Sequence, residues 1–359
     1  LVAGLVIGPS GLGYIENREE IHHLSELGVV FLLFIIGIEL QPARLWKMRH
    51  LVMGLGNLQL LASGSVLTVV VYLLSYLSWE VSLLIGATLA LSSTAFVLQL
   101  LADRKMISVG YGTPVVAILL MQDMAVVPLL AYVSLLASPG LDLGEDLLLA
   151  LVEALAILLT LVVIIRFTLN PVLRLLARHG SPEIFTASAL LLVLGSALAM
   201  ERVGLSLAMG GFVAGLLIAD SSYRHQIIAE IRPFRGLLLG LFFISMGMSM
   251  DLQLLWEKPI TILLVTTALM SIKLITILPL AHLFGYRGKA ALSVALMLAQ
   301  AGEFSLVLFA LANSEGILED ELFQLLLMTV LFSMLITPLL ERLAYRLSPP
   351  LQEQNTTEA

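Results

Sequence analysis

Three ionisable side chains stand inside long apolar runs of this chain: Asp123, Lys273 and Glu303. A charge in hydrocarbon costs several kcal/mol, so residues of this kind mark ion or proton paths or tie helices together. Asp123 lies in Leu119-Leu120-Met121-Gln122-Asp123-Met124-Ala125, roughly ten residues from the nearer end of its run, which puts it near the midplane. A carboxylate there holds a cation or a proton, never both; the alternative role is a structural tie. Lys273, in Ser271-Ile272-Lys273-Leu274, is too central to snorkel. It is expected to pair with Asp123, either when no cation is bound or permanently. Glu303 follows Gln300-Ala301-Gly302, and Leu91-Ser92-Ser93-Thr94-Ala95 is the similar stretch earlier in the chain. Both are small and polar within apolar runs. Such stretches suit helices that break at the midplane and free backbone carbonyls and amides for an ion. Half-helix ends also carry partial charges that Glu303 could offset, although small-residue helix packing would leave the same pattern.

The elements that must position these groups are membrane spans. Hydrophobic residues make up 59% of the 359 residues, charged residues 13%, and mean hydropathy is +1.01. A soluble domain carries about 25% charged residues, so most of this surface faces something other than water. A span needs about 20 apolar residues. Apolar runs predict an all-α membrane protein with about 12 visible transmembrane helices: 1–9 (partial), 24–40, 51–77, 81–102, 113–138, 146–166, 184–201, 205–220, 236–250, 259–284, 290–312 and 321–341. The chain opens at Leu1 inside an apolar run, and a further helix is expected ahead of it. There is no cysteine, hence no disulfide or thiol chemistry, and no basic tract for nucleic acid. No Walker loop supports ATP-driven pumping. His22 and His23 lack a ligand pattern, and Met246, Met248 and Met250 read as packing. Pro128, Pro279 and Pro338 are expected to kink or break their helices.

Connections alternate in charge. Fifteen of the 19 Lys and Arg, among them Arg44, Arg104, Arg174, Arg232, Arg287 and Arg346, follow even-numbered spans. The opposite connections carry Glu19, Asp142, Glu145, Glu315 and Glu319 instead. The positive-inside rule then places the even-span ends and the C-terminus in the cytoplasm.

The chain also repeats itself at a spacing near 210. Val2-Ala3-Gly4-Leu5 recurs as Val213-Ala214-Gly215-Leu216, Gly37 and Trp46 match Gly247 and Trp256, and Phe96 matches Phe304. That spacing equals an odd number of spans, so the halves have inverted topology, a signature of secondary transporters. The expected organisation is a transmembrane domain over 1–345 and a polar cytoplasmic tail over 346–359. The first repeat covers about 1–138, connecting helices about 146–201, and the second repeat about 205–341.

Several stretches together resemble the monovalent cation/proton antiporter-2 family, and within it the Kef-type potassium efflux proteins. They are GLVIGPSGLG from Gly4, LGVVFLLFIIGIEL from Leu27, LALSSTAF from Leu89, Gln122-Asp123, GLLLGLFFISMGM from Gly236, Lys273, and QAGEF from Gln300. The resemblance implies a sodium/hydrogen exchanger fold with two crossed discontinuous helices and a moving core on a scaffold. It also implies a homodimer in a bacterial-type inner membrane, with a separate regulatory subunit as a further partner. By it Asp123, Gln122 and Lys273 form the ion and proton site, with Gln122 standing where electrogenic relatives carry a second acid. Ser92, Ser93, Thr94, Gln300 and Glu303 line the broken-helix path. The stretch His225 to Gly236 resembles a regulatory loop and keeps Glu230, while Ile228 and Arg232 replace expected acids, which argues against glutathione gating.

The expected function is exchange of a monovalent cation, K⁺ ahead of Na⁺, for H⁺ at a midplane carboxylate, with no bound cofactor. Two alternatives are a potassium channel without proton coupling and an organic-anion symporter. No TVGYG filter supports the first, and Lys273 alone offers positive charge at mid-membrane for the second. No buried catalytic cluster supports an enzyme.

Overall fold

The computed structural model describes residues 2–14 except 10, 27–38 except 29, 32 and 36, 48–137 except 108, 182–202, 207–219, 221, 224–248 and 250–348. All regular structure among these residues is helical. The expected span at 146–166, His22, His23 and most of the polar tail lie outside the described residues. In chain order the helices are α1 (Val2–Ile7), α2 (Asn57–Leu74), α3 (Trp79–Ala90), α4 (Thr94–Asp103), α5 (Gly112–Ala137), α6 (Pro182–Arg202), α7 (Leu207–Ala219), α8 (Arg224–Met248), α9 (Leu252–Glu257), α10 (Pro259–Leu283), α11 (Lys289–Met297), α12 (Glu303–Ser314) and α13 (Asp320–Leu347). A π-helical turn, Leu51–Gly56, leads into α2. Among the described residues, four helical stretches are long and apolar enough to cross a bilayer: Leu51–Leu74, Gly112–Ala137, Pro259–Leu283 and Asp320–Leu347.

Two expected spans are interrupted. The run 81–102 splits into α3 and α4 around 91–93, and the run 290–312 splits into α11 and α12 around 298–302. Proline causes neither break. Pro128, Pro279 and Pro338 all sit inside continuous helices instead. Membrane helices tolerate interior proline because neighbours re-satisfy the freed backbone groups. The breaks fall where serine, glutamine and glycine allow backbone groups to find partners outside their own helix.

The stretch His225 to Gly236, expected to be a loop, is helical. It forms the first half of α8, which runs without interruption from Arg224 to Met248. Ile227 and Ile231, one turn apart, are both buried and extend an apolar stripe back from the expected span. Thr186 of α6 donates a hydrogen bond to Glu230 on the same stretch. His225 and Arg232 therefore occupy helical positions, and packing outweighs the charge density that marked this segment as a connection.

The chain divides into two compact units. The first comprises residues 1–47, 127–257 and 311–317. In it α1 packs on α8, and α7 packs on the helical residues between 27 and 38. These two contacts are repeat mates. A Cβ added to Gly4 would lie 1.9 Å from the Ile244 carbonyl oxygen, and one added to Gly215 would lie 2.0 Å from that of Phe34. Gly215 is the repeat partner of Gly4, and Ile244 that of Phe34. The inverted repeat thus reuses one glycine-to-backbone contact, as small residues permit in membrane helices.

The second unit comprises residues 48–126, 258–310 and 318–359 and contains both broken helices. One buried cluster, including Leu55, Val97, Leu101, Val115, Ile277, Val294 and Ala344, joins α4, α5, α10, α11 and α13. Gly285 (φ 90°) and Gly288 (φ 56°) make the tight turn from α10 to α11.

Gly4→Ala and Gly215→Ala are each expected to destabilise the protein by about 1–3 kcal/mol through overpacking against backbone that cannot move aside. Thermal unfolding of the detergent-solubilised protein checks this, with a lower Tm for both.

Candidate functional site

All the charged and polar residues singled out in apolar runs converge in the second unit. At its centre Lys273, on α10, is fully buried. Its Nζ donates to the carbonyl oxygens of Leu91 (2.8 Å) and Gln300 (2.6 Å) and to Ser92 Oγ (3.0 Å). Leu91 closes α3, and Gln300 lies just beyond the end of α11. Helix C-termini leave carbonyls without intrahelical partners and carry partial negative charge. One ammonium with three donors answers both ends at once. The pairing with Asp123 expected from the sequence is not among these hydrogen bonds. The breaks expose backbone acceptors within reach of the ammonium, which takes them up.

The two breaks also bind each other. Ser92 Oγ donates to the Leu298 carbonyl (3.0 Å), and Ser93 N donates to Gln300 Oε1 (3.0 Å). A Cβ on Gly302 would lie 2.6 Å from the carbonyl carbon and oxygen of Ser92, so glycine is needed where the strands of backbone cross. Long intact helices cap each break from the side. Gln122 Oε1, on α5, accepts from Ser92 N (2.8 Å), and Ser333 Oγ, on α13, accepts from Ala301 N (3.1 Å). Further along, Ser305 Oγ donates to the Thr88 carbonyl (2.8 Å).

The carboxylates occupy the opposite helix ends. Thr94, the first residue of α4, donates its hydroxyl to Asp123 Oδ1 at 2.7 Å. Asp123 is 5% exposed. Glu303 opens α12 and is buried as well. Negative charge at helix N-termini is favoured by the macrodipole. Lysine therefore serves two C-termini, while each acid attends the start of one half-helix. Asp123 and the Thr94 hydroxyl oxygen form an oxygen pair of the hard type that binds alkali cations, and protonation of the carboxyl would remove its charge.

Gln122 stands beside Asp123 as expected, but its amide is committed to the fold. Its Nε2 donates to Gln59 Oε1 (2.7 Å) and to the Ala90 carbonyl (3.2 Å). Gln59 was missed by the sequence reading, yet it is fully buried on α2 and also reaches the Ala90 carbonyl (3.3 Å) and Ser63 Oγ (3.3 Å). Ser63 Oγ in turn meets Thr276 Oγ1 of α10 at 2.7 Å. The signal for this chain was a single glutamine within an apolar run. Gln300 Nε2 is buried without a hydrogen-bond partner among the described residues, beside the crossing its own Oε1 helps to hold. His225, Glu230 and Arg232 belong to the first unit. No group of three or more His, Cys, Asp and Glu suited to a resident metal occurs among the described residues.

The fold has solved relatives. The sodium proton antiporter MjNhaP1 from Methanocaldococcus jannaschii, determined at pH 8, superposes with a TM-score of 0.60 at 18% identity, covering 96% of this chain and 91% of that one. An electron-microscopy map of the same antiporter gives 0.59 at 17% identity, covering 98% and 91%. At such identities the likeness shows the fold. The family model described as sodium/hydrogen exchanger, transmembrane, matches residues 1–342. This membrane-spanning chain, with its paired broken helices, belongs to the sodium/hydrogen exchanger family of transporters, which are not enzymes.

Proposed function

We propose that this chain exchanges a monovalent cation for H⁺ by alternating access at Asp123, with K⁺ as the preferred cargo and Na⁺ as the runner-up. The observation that carries the reading is the buried Asp123 carboxylate, hydrogen-bonded by Thr94 at the start of a half-helix. A cation takes the carboxylate and the hydroxyl oxygen on one side of the membrane. A proton replaces it on the other. Because both cannot occupy one carboxylate, each species drives the other's release.

The amide at Gln122 supports one-for-one, electroneutral exchange. Its nitrogen and oxygen are engaged with Gln59, Ala90 and Ser92, and it offers no second titratable oxygen beside Asp123. The preference for K⁺ rests on the Kef-like stretches around Gly4, Leu27 and Gln300. The homodimer, a separate regulatory subunit, placement in a bacterial-type inner membrane with the C-terminus inside, and the tail over 346–359 belong to the same proposal. The distribution of Lys and Arg supports the orientation.

In sealed proteoliposomes with an imposed pH gradient, K⁺ is expected to dissipate the gradient, with Na⁺, Rb⁺ and Li⁺ compared alongside. Asp123→Asn abolishes the response. A wild-type protein without any cation-driven pH change overturns the reading. Current without proton movement points to a channel instead, and dissipation only with an organic anion points to a symporter.

Thr94→Val keeps the shape at the start of α4 and removes the hydroxyl. It is expected to raise the apparent KM for the cation about fivefold, the effect of losing one hydrogen-bonding group, as measured by cation titration in the same vesicles.

A further inference from the structure

The last turns of α13 hold two other elements at once. Arg104, one residue past the end of α4, places Nε 3.0 Å from Glu341 Oε1, and its guanidinium lies 4.4 Å from the Tyr345 ring centroid. Between these two contacts along α13, the Ala344 carbonyl accepts from Ser293 Oγ of α11 at 2.9 Å. Residues 341–345 therefore clasp α4 and α11 at the ends or flanks away from the break. The opposite ends of the same two half-helices build the site. Thr94 begins α4, and Leu298 and Gln300, just past α11, receive Ser92 and Lys273.

The ion pair has a reason to be there. The Glu341 side chain is 5% exposed, and a buried carboxylate needs a charged or strongly donating partner. Tyr111, in electrostatic reach of both, has its hydroxyl pushed up to about 12, by burial first and by Glu341 next. The chain turns sharply here, with Lys105 at φ 56° and Met106 N donating to the Leu101 carbonyl at 2.8 Å. Arg104 is fixed at the point where α4 ends.

We propose that Arg104 and Glu341 are positioning residues for cation binding: they anchor the far end of α4 and so set where Thr94 meets Asp123. The inference rests on Asp123 and Thr94 being the cation site. The break at 91–93 removes the helical ladder that would otherwise fix α4 to α3. What orients the half-helix is its buried face, with Val97 and Leu101, together with the clasp at its end. Ten residues of α-helix span about 15 Å and move as a rod, so a tilt at Arg104 displaces the hydroxyl at Thr94.

The test uses the full chain in proteoliposomes. Arg104→Ala and Glu341→Gln are each expected to raise the apparent cation KM several-fold while Vmax stays within about twofold, as for a residue acting on binding. Arg104→Lys recovers part of the loss, and the exchanged pair Arg104→Glu with Glu341→Arg recovers more than either single change. The deciding measurement is the cycle with Thr94→Val. Once the hydroxyl is gone, Arg104→Ala adds no further rise in KM, because both act through one contact. An unchanged KM in Arg104→Ala, or effects that multiply with those of Thr94→Val, overturns the proposal. If Arg104→Ala does not fold, the nearly isosteric Glu341→Gln carries the same cycle. A wild type inactive in every cation sinks the functional reading itself, whereas an active wild type with an unmoved Arg104→Ala sinks only the clasp.

Discussion

Everything at the centre of this molecule follows from one constraint: a helix broken inside a membrane exposes backbone groups that water cannot reach. Each unsatisfied carbonyl or amide there costs several kcal/mol, so a break survives only where partners have been arranged for it. Lys273 is the principal partner. Its ammonium closes the carbonyl ends of α3 and α11 together, through Leu91 and Gln300. A buried ammonium alone would cost far more than the carbonyls it serves. Brought together, they form charge-assisted hydrogen bonds of the strong class. The breaks and the lysine are each untenable without the other.

The same constraint explains why the neighbouring polar residues are amides and hydroxyls. Gln122, Gln59, Ser63, Thr276 and Ser333 each pair donors with acceptors and carry no charge to desolvate. Ser92 N and Ala301 N, the freed amides, receive an amide oxygen and a hydroxyl oxygen respectively. Neutral groups can brace the crossing in every state of a transport cycle. A carboxylate that gains and loses a proton cannot serve as a constant brace. Structural bonding of the freed amides at the crossing thus rests on groups that do not titrate.

Much of this was legible in the sequence because it concerned residue types that hydrocarbon excludes. Asp123, Lys273 and Glu303 stood out against apolar runs, and Ser92 to Thr94 and Gln300 to Gly302 marked the breaks. What was not legible depended on the backbone. The partners of Lys273 are carbonyls, which every residue has, so no side-chain pattern pointed to them. A carboxylate looked like the natural partner for that reason. Gln59 was hidden by being a single amide in a good helix. The start of α8 at Arg224 was hidden by its charges, whereas its buried Ile227 and Ile231 decided the matter. The clasp of Arg104 and Glu341 joins residues 237 positions apart, and no local signal links them.

The repeat adds a last step. The skeleton is nearly symmetric: each repeat contributes a long helix, a broken helix and a second long helix that caps the break. The charges do not follow that symmetry. The aspartate lies on the capping helix of the first repeat, α5, and the lysine on the leading helix of the second, α10. The repeat-related positions hold no matching charge: about 210 residues past Asp123 the chain reads Phe332-Ser333-Met334, and about 210 before Lys273 it reads Ala62-Ser63-Gly64. Inverted repeats of this kind are the backbone symmetry on which alternating access is built in secondary transporters. Asymmetry of charge leaves Asp123 without an acid at its repeat-related position. An acid duplicated beside Asp123 would add like-charge repulsion in a low-dielectric volume, which the neutral, committed amide of Gln122 avoids.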